Sequence, residues 1–105
     1  MMRNIFWSGF TREDRTGAIA EIEKIINPFG FIIDFKPFSD ISLSLVIEAQ
    51  ESNIDPLYDA LTRYLHMEDF ERLNSTSPQE RTIYLSVTFT NAMGNLKNEI
   101  PAVPG

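Results

Sequence analysis

The stretch "ISLSLVIEA", residues 41–49, decides the fold because its apolar side chains recur at every second position. One side of the alternation is entirely apolar and consists of Ile41, Leu43, Leu45, Ile47 and Ala49. The other side is mixed and consists of Ser42, Ser44, Val46 and Glu48. A period of two predicts a strand that buries one face and leaves the other near solvent.

A second strand precedes this one, in "FIIDFKPF", residues 31–38. Alternation predicts that Phe31, Ile33 and Phe35 point toward the core. Pro37 predicts either the end of the strand or a place at the sheet edge, because proline cannot donate to a ladder. Ser39 and Asp40 then form a tight turn, so the two strands are predicted to pair as a hairpin.

Two helices flank the hairpin, because apolar residues there recur at spacings of three and four. The first helix is predicted to begin after Asp14, and its stripe consists of Ala18, Ile19, Ile22, Ile25, Ile26 and Phe29. The second is predicted to begin at Asp55 as N-cap, with Pro56 in the first helical position. Its stripe consists of Ile54, Leu57, Leu61 and Leu65.

The remaining strands are "NIFWSGF", residues 4–10, and "RTIYLSVTFT", residues 81–90. Residues 66–80 carry mixed signals and are compatible with one more helical turn or an irregular strand, followed by a loop. The order β-α-β-β-α-β predicts an α+β, ferredoxin-like fold with a four-stranded antiparallel sheet and two helices on one face. Residues 1–90 would form this single domain, and residues 91–105 a flexible or loosely docked tail.

The sheet face opposite the helices is predicted to be mixed in character. Four of its apolar residues could form a patch: Phe6, Ile32, Val46 and Tyr84. Such a patch on a small domain marks an interface, or it is a solvated face with scattered apolar residues. The sequence leaves both interpretations open.

Composition excludes several function classes. The chain has 105 residues with 15 acidic and 9 basic side chains, giving a net charge of −6, so nucleic acid and anionic membrane surfaces are disfavoured as partners. The absence of cysteine removes disulfides, thiolate metal sites and a cysteine nucleophile. No signal-peptide core or 20-residue apolar run is present, which predicts a cytoplasmic protein. His66 is the only histidine, so neither a catalytic triad nor a transition-metal site is predicted, and no cofactor is expected.

Gly17 is unusual because it falls in the first turn of a predicted helix, where glycine costs about 1 kcal/mol relative to alanine. Either it packs against the neighbouring strand, or it leaves the helix start open to a ligand that binds free backbone N–H groups. Asp14 would cap the same turn and complement the helix dipole.

The stretch "REDRTGAIAEIEKIINPFGFIIDF", residues 12–35, resembles the start of an ACT domain. In that family a strand leads into an Asp-Arg-x-Gly turn, which Asp14, Arg15 and Gly17 match, and the aliphatic stripe and Gly30 follow. The resemblance implies a non-catalytic regulatory module that binds an amino acid or a related metabolite at the interface of a homodimer, often paired edge to edge. By position Asp14, Arg15 and Gly17 would line the ligand site, and Thr11 and Arg12 would join them by proximity in the loop.

Two other functions remain open at this point. The first is an interaction module whose sheet face or edge strand pairs with another protein without any small ligand. The second is an acylphosphatase-like hydrolase, in which Arg12 or Arg15 would bind phosphate.

Overall fold

The computed structural model describes residues 4–39 and 41–90, which form two helices and five strands. In chain order the elements are β1 (Ile5–Thr11), α1 (Arg15–Ile26), β2 (Gly30–Ser39), β3 (Ser42–Gln50), α2 (Glu51–Thr62), β4 (His66–Met67) and β5 (Glu80–Phe89). The predicted tail, residues 91–105, lies outside the described residues. None of the described helices is long and apolar enough to cross a membrane.

The fold is α+β, as predicted, but the sheet differs from the predicted four antiparallel strands. Its five strands lie in the order β2-β3-β5-β1-β4, and β5 runs parallel to β1 while the other neighbours are antiparallel. The predictions of four strands and of an all-antiparallel sheet were therefore wrong.

The short strand β4 explains this difference. Strand β4 follows α2 in the chain and pairs antiparallel with β1, as an all-antiparallel sheet requires. It ends, however, after two residues. The chain then continues without regular structure through residues 68–79, so β5 enters in the opposite direction to β4. The inward side chains of β5 are the completely buried Ile83, Leu85 and Val87, which favours a central position between β1 and β3.

Both helices cover the same face of the sheet. Their buried side chains join the inward residues of β1, β3 and β5 in one hydrophobic core. The buried helix residues are Ala18, Ile22 and Ile26 of α1 and Ile54, Leu57, Tyr58 and Leu61 of α2. We call the side of the sheet that faces away from the helices the outer face.

Helix α2 begins five residues earlier than predicted. Its N-cap is Gln50, and Pro56 lies inside the helix. The first-turn N–H groups of Glu51 and Ser52 donate to the carbonyl oxygens of Gln79 and Ser77, at 2.9 and 3.1 Å. These bonds satisfy donors that a helix start leaves open, so no capping aspartate is needed.

Asp55, the predicted cap, instead binds the segment 68–79. Its carboxylate accepts the backbone N–H groups of Leu73 at 3.0 Å and Asn74 at 2.8 Å. The hydroxyl of Tyr58 donates to the carbonyl oxygen of Glu68 at 2.6 Å. Side chains of α2 therefore hold the irregular segment against the domain.

The inward and outward residues of β2 also differ from the prediction. A register shift between Ile32 and Asp34 makes Ile33 a bulge. Before the bulge, Ile32 pairs with the buried Ile47 and packs partly against the core, whereas Phe31 pairs with Glu48 and is exposed, as is Ile33 itself. After the bulge the alternation changes phase, so Phe35 pairs with the buried Leu45. The predicted edge position of Pro37 is confirmed, because β2 is an outermost strand.

Glu51 gives a prediction of pH dependence. Its carboxylate accepts hydrogen bonds from the Ser75 hydroxyl at 2.8 Å and from Arg81 at 3.1 Å, and these bonds lower the pKa of Glu51 below its ordinary 4.5. A carboxylate whose pKa is lowered in the folded state stabilises the fold at pH values above its unfolded pKa. This stabilisation is lost as the pH falls through the folded pKa. We expect Glu51→Gln to lower the melting temperature at pH 7 and the difference from wild type to shrink below pH 4.5.

Thermal melts of both proteins between neutral and acidic pH measure this difference. Glu23→Gln, at an exposed position of α1, is the matched control and should change the melting temperature little at any pH. A Glu51→Gln deficit that stays constant down to the lowest pH would contradict the assignment.

Candidate functional site

The five residues predicted as a ligand site lie at the turn from β1 to α1. Thr11 is 3% exposed, and its hydroxyl accepts the N–H of Glu13 at 3.1 Å. Its carbonyl oxygen accepts the hydroxyl of Thr90 at 3.2 Å. Thr11 therefore has a structural role at the end of β1.

Asp14 and Gly17 are brought together as predicted. Asp14 is the N-cap of α1, and its carboxylate accepts the N–H of Gly17 at 3.4 Å. A Cβ atom built on Gly17 would meet nothing within 4 Å outside its own helix backbone. Gly17 is therefore not required for packing against a strand, and its N–H group already has an acceptor.

Arg12 is exposed and Arg15 is partly exposed at the same turn. None of the five residues lines the clefts described below. Binding of an amino acid here stays a prediction from the resemblance, and so does phosphate chemistry at Arg12 or Arg15.

Alanine substitutions at Gly17 and Asp14, which lie at the same helical turn, should have opposite effects on the stability of the protein. Gly17→Ala should stabilise the protein by about 1 kcal/mol, because the helix gains its best former and the position is open. Asp14→Ala should destabilise it by about 1 kcal/mol through loss of the cap. Urea denaturation measures both changes, and a destabilising Gly17→Ala would show that the position needs glycine for another reason.

Exposed aromatic side chains distinguish the outer face. Phe6 is 74%, Phe31 70% and Phe38 71% exposed, and Phe10 is also exposed. The ring of Phe6 stacks on Tyr84 with centroids 5.2 Å apart. Of these residues, Phe6 and Tyr84 were predicted from the sequence to belong to an apolar patch, and the others were not predicted.

His66 extends this surface at its β4 side. Its imidazole stacks on the ring of Phe10 with centroids 4.8 Å apart and planes 18° from parallel. The pairing of β4 with the end of β1 places the two residues side by side. His66 is exposed, so it contributes a polar aromatic edge to the outer face.

The register of the strands aligns outer-face residues in two rows that cross the sheet. The first row, which we call the aromatic row after its two rings, consists of Phe6, Tyr84 and Val46 and ends at Asp34 on β2. The serine row lies two residues further along β1 and β5 and consists of Ser8, Ser86 and Ser44, ending at Lys36. Two residues along a strand span about 6.6 Å, so the rows are adjacent.

The serine row is the floor of two clefts. One, of about 450 Å³, is lined by Ser8 and Ser86 together with Phe10, His66 and Thr88. The other, of about 320 Å³, shares both serines and is lined on its other side by Phe6, Phe38 and Tyr84. Together they form one shallow trough across the sheet, with small hydroxyl side chains below and aromatic rings beside them.

The edges of the sheet are poorly suited to adding another strand. At the β2 edge the N–H of Phe35 donates to the carboxylate of Asp34 at 2.8 Å, and Pro37 has no N–H. Register shifts interrupt β2 near Ile33 and Phe38. At the opposite edge β4 has only two residues. Bulges, proline and short edge strands are ways in which proteins prevent edge pairing.

Within residues 4–39 and 41–90 no group of three or more histidine, aspartate or glutamate side chains is placed to hold a metal ion. Comparison with family models, with curated proteins and with solved structures finds no match to this chain. The resemblance to ACT domains therefore stays a prediction.

Proposed function

We propose that this chain is a non-catalytic interaction module that docks a protein on the outer face of its sheet. The observation that carries the proposal is the exposure of Phe6, Phe10, Phe31 and Phe38 on that face. Large exposed apolar patches on small domains mark interaction sites, and aromatic residues are enriched in the cores of interfaces.

The energetics favour a covered face. Burying a phenylalanine side chain stabilises a complex by roughly 1.5–3 kcal/mol relative to leaving it in water. Four such side chains together contribute roughly 6–12 kcal/mol, which is of the same order as the roughly 4–15 kcal/mol that association costs in lost freedom. The stacked pairs Phe6–Tyr84 and Phe10–His66 are already ordered, which reduces that cost.

The shape of the face supports a protein partner over a small molecule. Sites for small ligands usually enclose most of the ligand surface. The trough is shallow, and its floor is the flat middle of the sheet, formed by Ser8, Ser86 and Ser44. A protein surface can contact both aromatic walls at once, whereas a small ligand would remain largely exposed.

The charge of the chain also favours a protein partner. The chain carries a net charge of −6, and the outer face offers only scattered basic groups, such as Lys36 beside the serine row. Single-stranded nucleic acids also stack on aromatic sheet faces, but they need a basic groove for their phosphates. A protein is therefore the favoured partner.

The test is a photo-reactive side chain placed on the outer face of the full chain in the cells that produce it. Benzoylphenylalanine at position 6 should give a discrete cross-linked protein product after irradiation. The same group at position 23, exposed on α1, is the matched control and should give no such product. Identical product patterns at the two positions would contradict the proposal.

A further inference from the structure

The aromatic row and the serine row are complementary in size. On β1, β5 and β3, each member of the aromatic row has a serine two residues away on the same strand and the same face. The pairs are Phe6 with Ser8, Tyr84 with Ser86, and Val46 with Ser44. A ridge of large residues therefore runs beside a depression of small ones.

A two-fold axis that runs between the two rows and parallel to them makes this face complementary to itself. The rotation keeps each strand at its position across the sheet and reverses its direction. Phe6 then lies over the partner's Ser8, Tyr84 over the partner's Ser86, and Val46 over the partner's Ser44. Each contact occurs twice, because a two-fold interface is isologous.

The charges at the β2 end agree with this arrangement. Asp34 ends the aromatic row and Lys36 ends the serine row. The same rotation places Asp34 over the partner's Lys36, and Lys36 over the partner's Asp34. The sizes and the charges of these side chains are independent of each other, and the same register makes both complementary.

Other face-to-face registers fit less well. An axis along the serine row would place Ser8, Ser86 and Ser44 against their own copies and leave an unfilled space between the sheets. It would also place Lys36 opposite the partner's Lys36. Unfilled space loses dispersion contacts, and facing like charges repel each other.

We propose that the docked protein is a second copy of this chain, packed face to face with the aromatic row of each copy on the serine row of the other. This inference rests on the proposed function and names its partner. The two rows cross four strands about 4.8 Å apart, a width of about 14 Å, so we expect the dimer interface to lie at the low end of specific interface sizes. We therefore expect a dissociation constant on the order of micromolar.

Sedimentation velocity of charge variants over a concentration series tests the register. Asp34→Lys and Lys36→Asp each place like charges at both symmetry-related contacts, so each variant alone should dimerise about tenfold or more weakly than wild type. An equimolar mixture of the two variants places opposite charges at both contacts. The mixture should therefore form heterodimers with an affinity close to that of wild type.

Matched controls carry the same charge changes away from the outer face. Glu23→Lys and Lys24→Asp lie at exposed positions of α1 and should leave the dissociation constant of the dimer unchanged. Thermal melts of Asp34→Lys, which loses the bond to the Phe35 N–H, should still show a cooperative transition.

A wild-type chain that stays monomeric across the series would overturn the inference. Dimers that form without rescue in the mixture would overturn the register. The proposed function fails separately: a monomeric wild type with a discrete cross-link from position 6 to another protein leaves the docking face in place. If that cross-link is also absent, both the proposed function and the proposed dimer are contradicted.

Discussion

Replacing Gly30 by alanine should destabilise the protein by about 3 kcal/mol, at the upper end of overpacking effects. Gly30 begins β2 opposite Ala49 of β3. A Cβ atom at this position would lie 2.5 Å from the carbonyl oxygen of Glu48 and 2.9 Å from the Cβ of Ala49. Backbone atoms of a paired strand cannot move aside cheaply, so the start of the hairpin would have to shift.

Urea denaturation of three glycine variants measures this effect with its own controls. At Gly9 an added Cβ would lie 2.7 Å from the Sδ of Met67, which is the end of a flexible side chain, so Gly9→Ala should cost less. At Gly17 the space is open and alanine should stabilise. The expected order of stability is Gly17→Ala, then Gly9→Ala, then Gly30→Ala, and a Gly30→Ala variant as stable as wild type would contradict the packing at the start of β2.

Replacing Asp55 by alanine should cost about 2–3 kcal/mol, because its carboxylate accepts two backbone N–H groups of the segment 68–79. Loss of the carboxylate leaves the partly buried N–H of Leu73 without its acceptor. The segment should loosen where it packs against α2, so amide exchange at Leu73 and Asn74 should accelerate.

Asp59→Ala is the matched control, since Asp59 belongs to the same helix and binds the same segment. Its carboxylate pairs with Arg72, but both side chains are about half exposed. Exposed pairs stabilise proteins by about 0–1 kcal/mol. Equal losses for Asp55→Ala and Asp59→Ala in urea denaturation would show that the backbone contacts of Asp55 have no special weight.

Local periodicity predicts the parts of the fold that depend on a single element. The cap at Asp14, the buried stripe of α1 and the inward face of β3 all follow from spacing along the chain. The start of α2 does not, because the bonds from Glu51 and Ser52 go to residues 77–79, which are remote in sequence. A capping preference at Asp55 was outweighed by these tertiary contacts.

The position of β5 and the outer faces of β1 and β2 depend on pairing between distant strands. Alternation identifies β5 as a buried strand, but no local signal says that it lies between β1 and β3 or runs parallel to β1. The bulge at Ile33 changes which residues of β2 face outward, and alternation cannot reveal a bulge. Phe31 and Phe38 were therefore missed as outer-face residues. Phe6 and Tyr84, on regular strands, were found, but Phe10, also on β1, was not.

Identifying the two rows also requires the pairing register of the strands. Ser8, Ser86 and Ser44 are far apart in sequence and come from three different elements. Only their alignment across β1, β5 and β3 shows that a continuous depression lies beside a continuous aromatic ridge. The sequence contains both sets of residues, but their arrangement is a property of the folded sheet.

The most direct test of the docking face is hydroxyl-radical footprinting of the full chain in a concentrated extract of the producing cells and again after purification and dilution. We expect oxidation of Phe6, Phe10 and Tyr84 to be low in the extract and to rise on dilution, because the face is covered only in the complex. Tyr64, two residues after α2 and packed against the hydrophobic core on the helix side of the sheet, is the reference and should be oxidised equally in both samples. Equal oxidation of the outer-face aromatics in extract and dilute protein would contradict a docking role for this face.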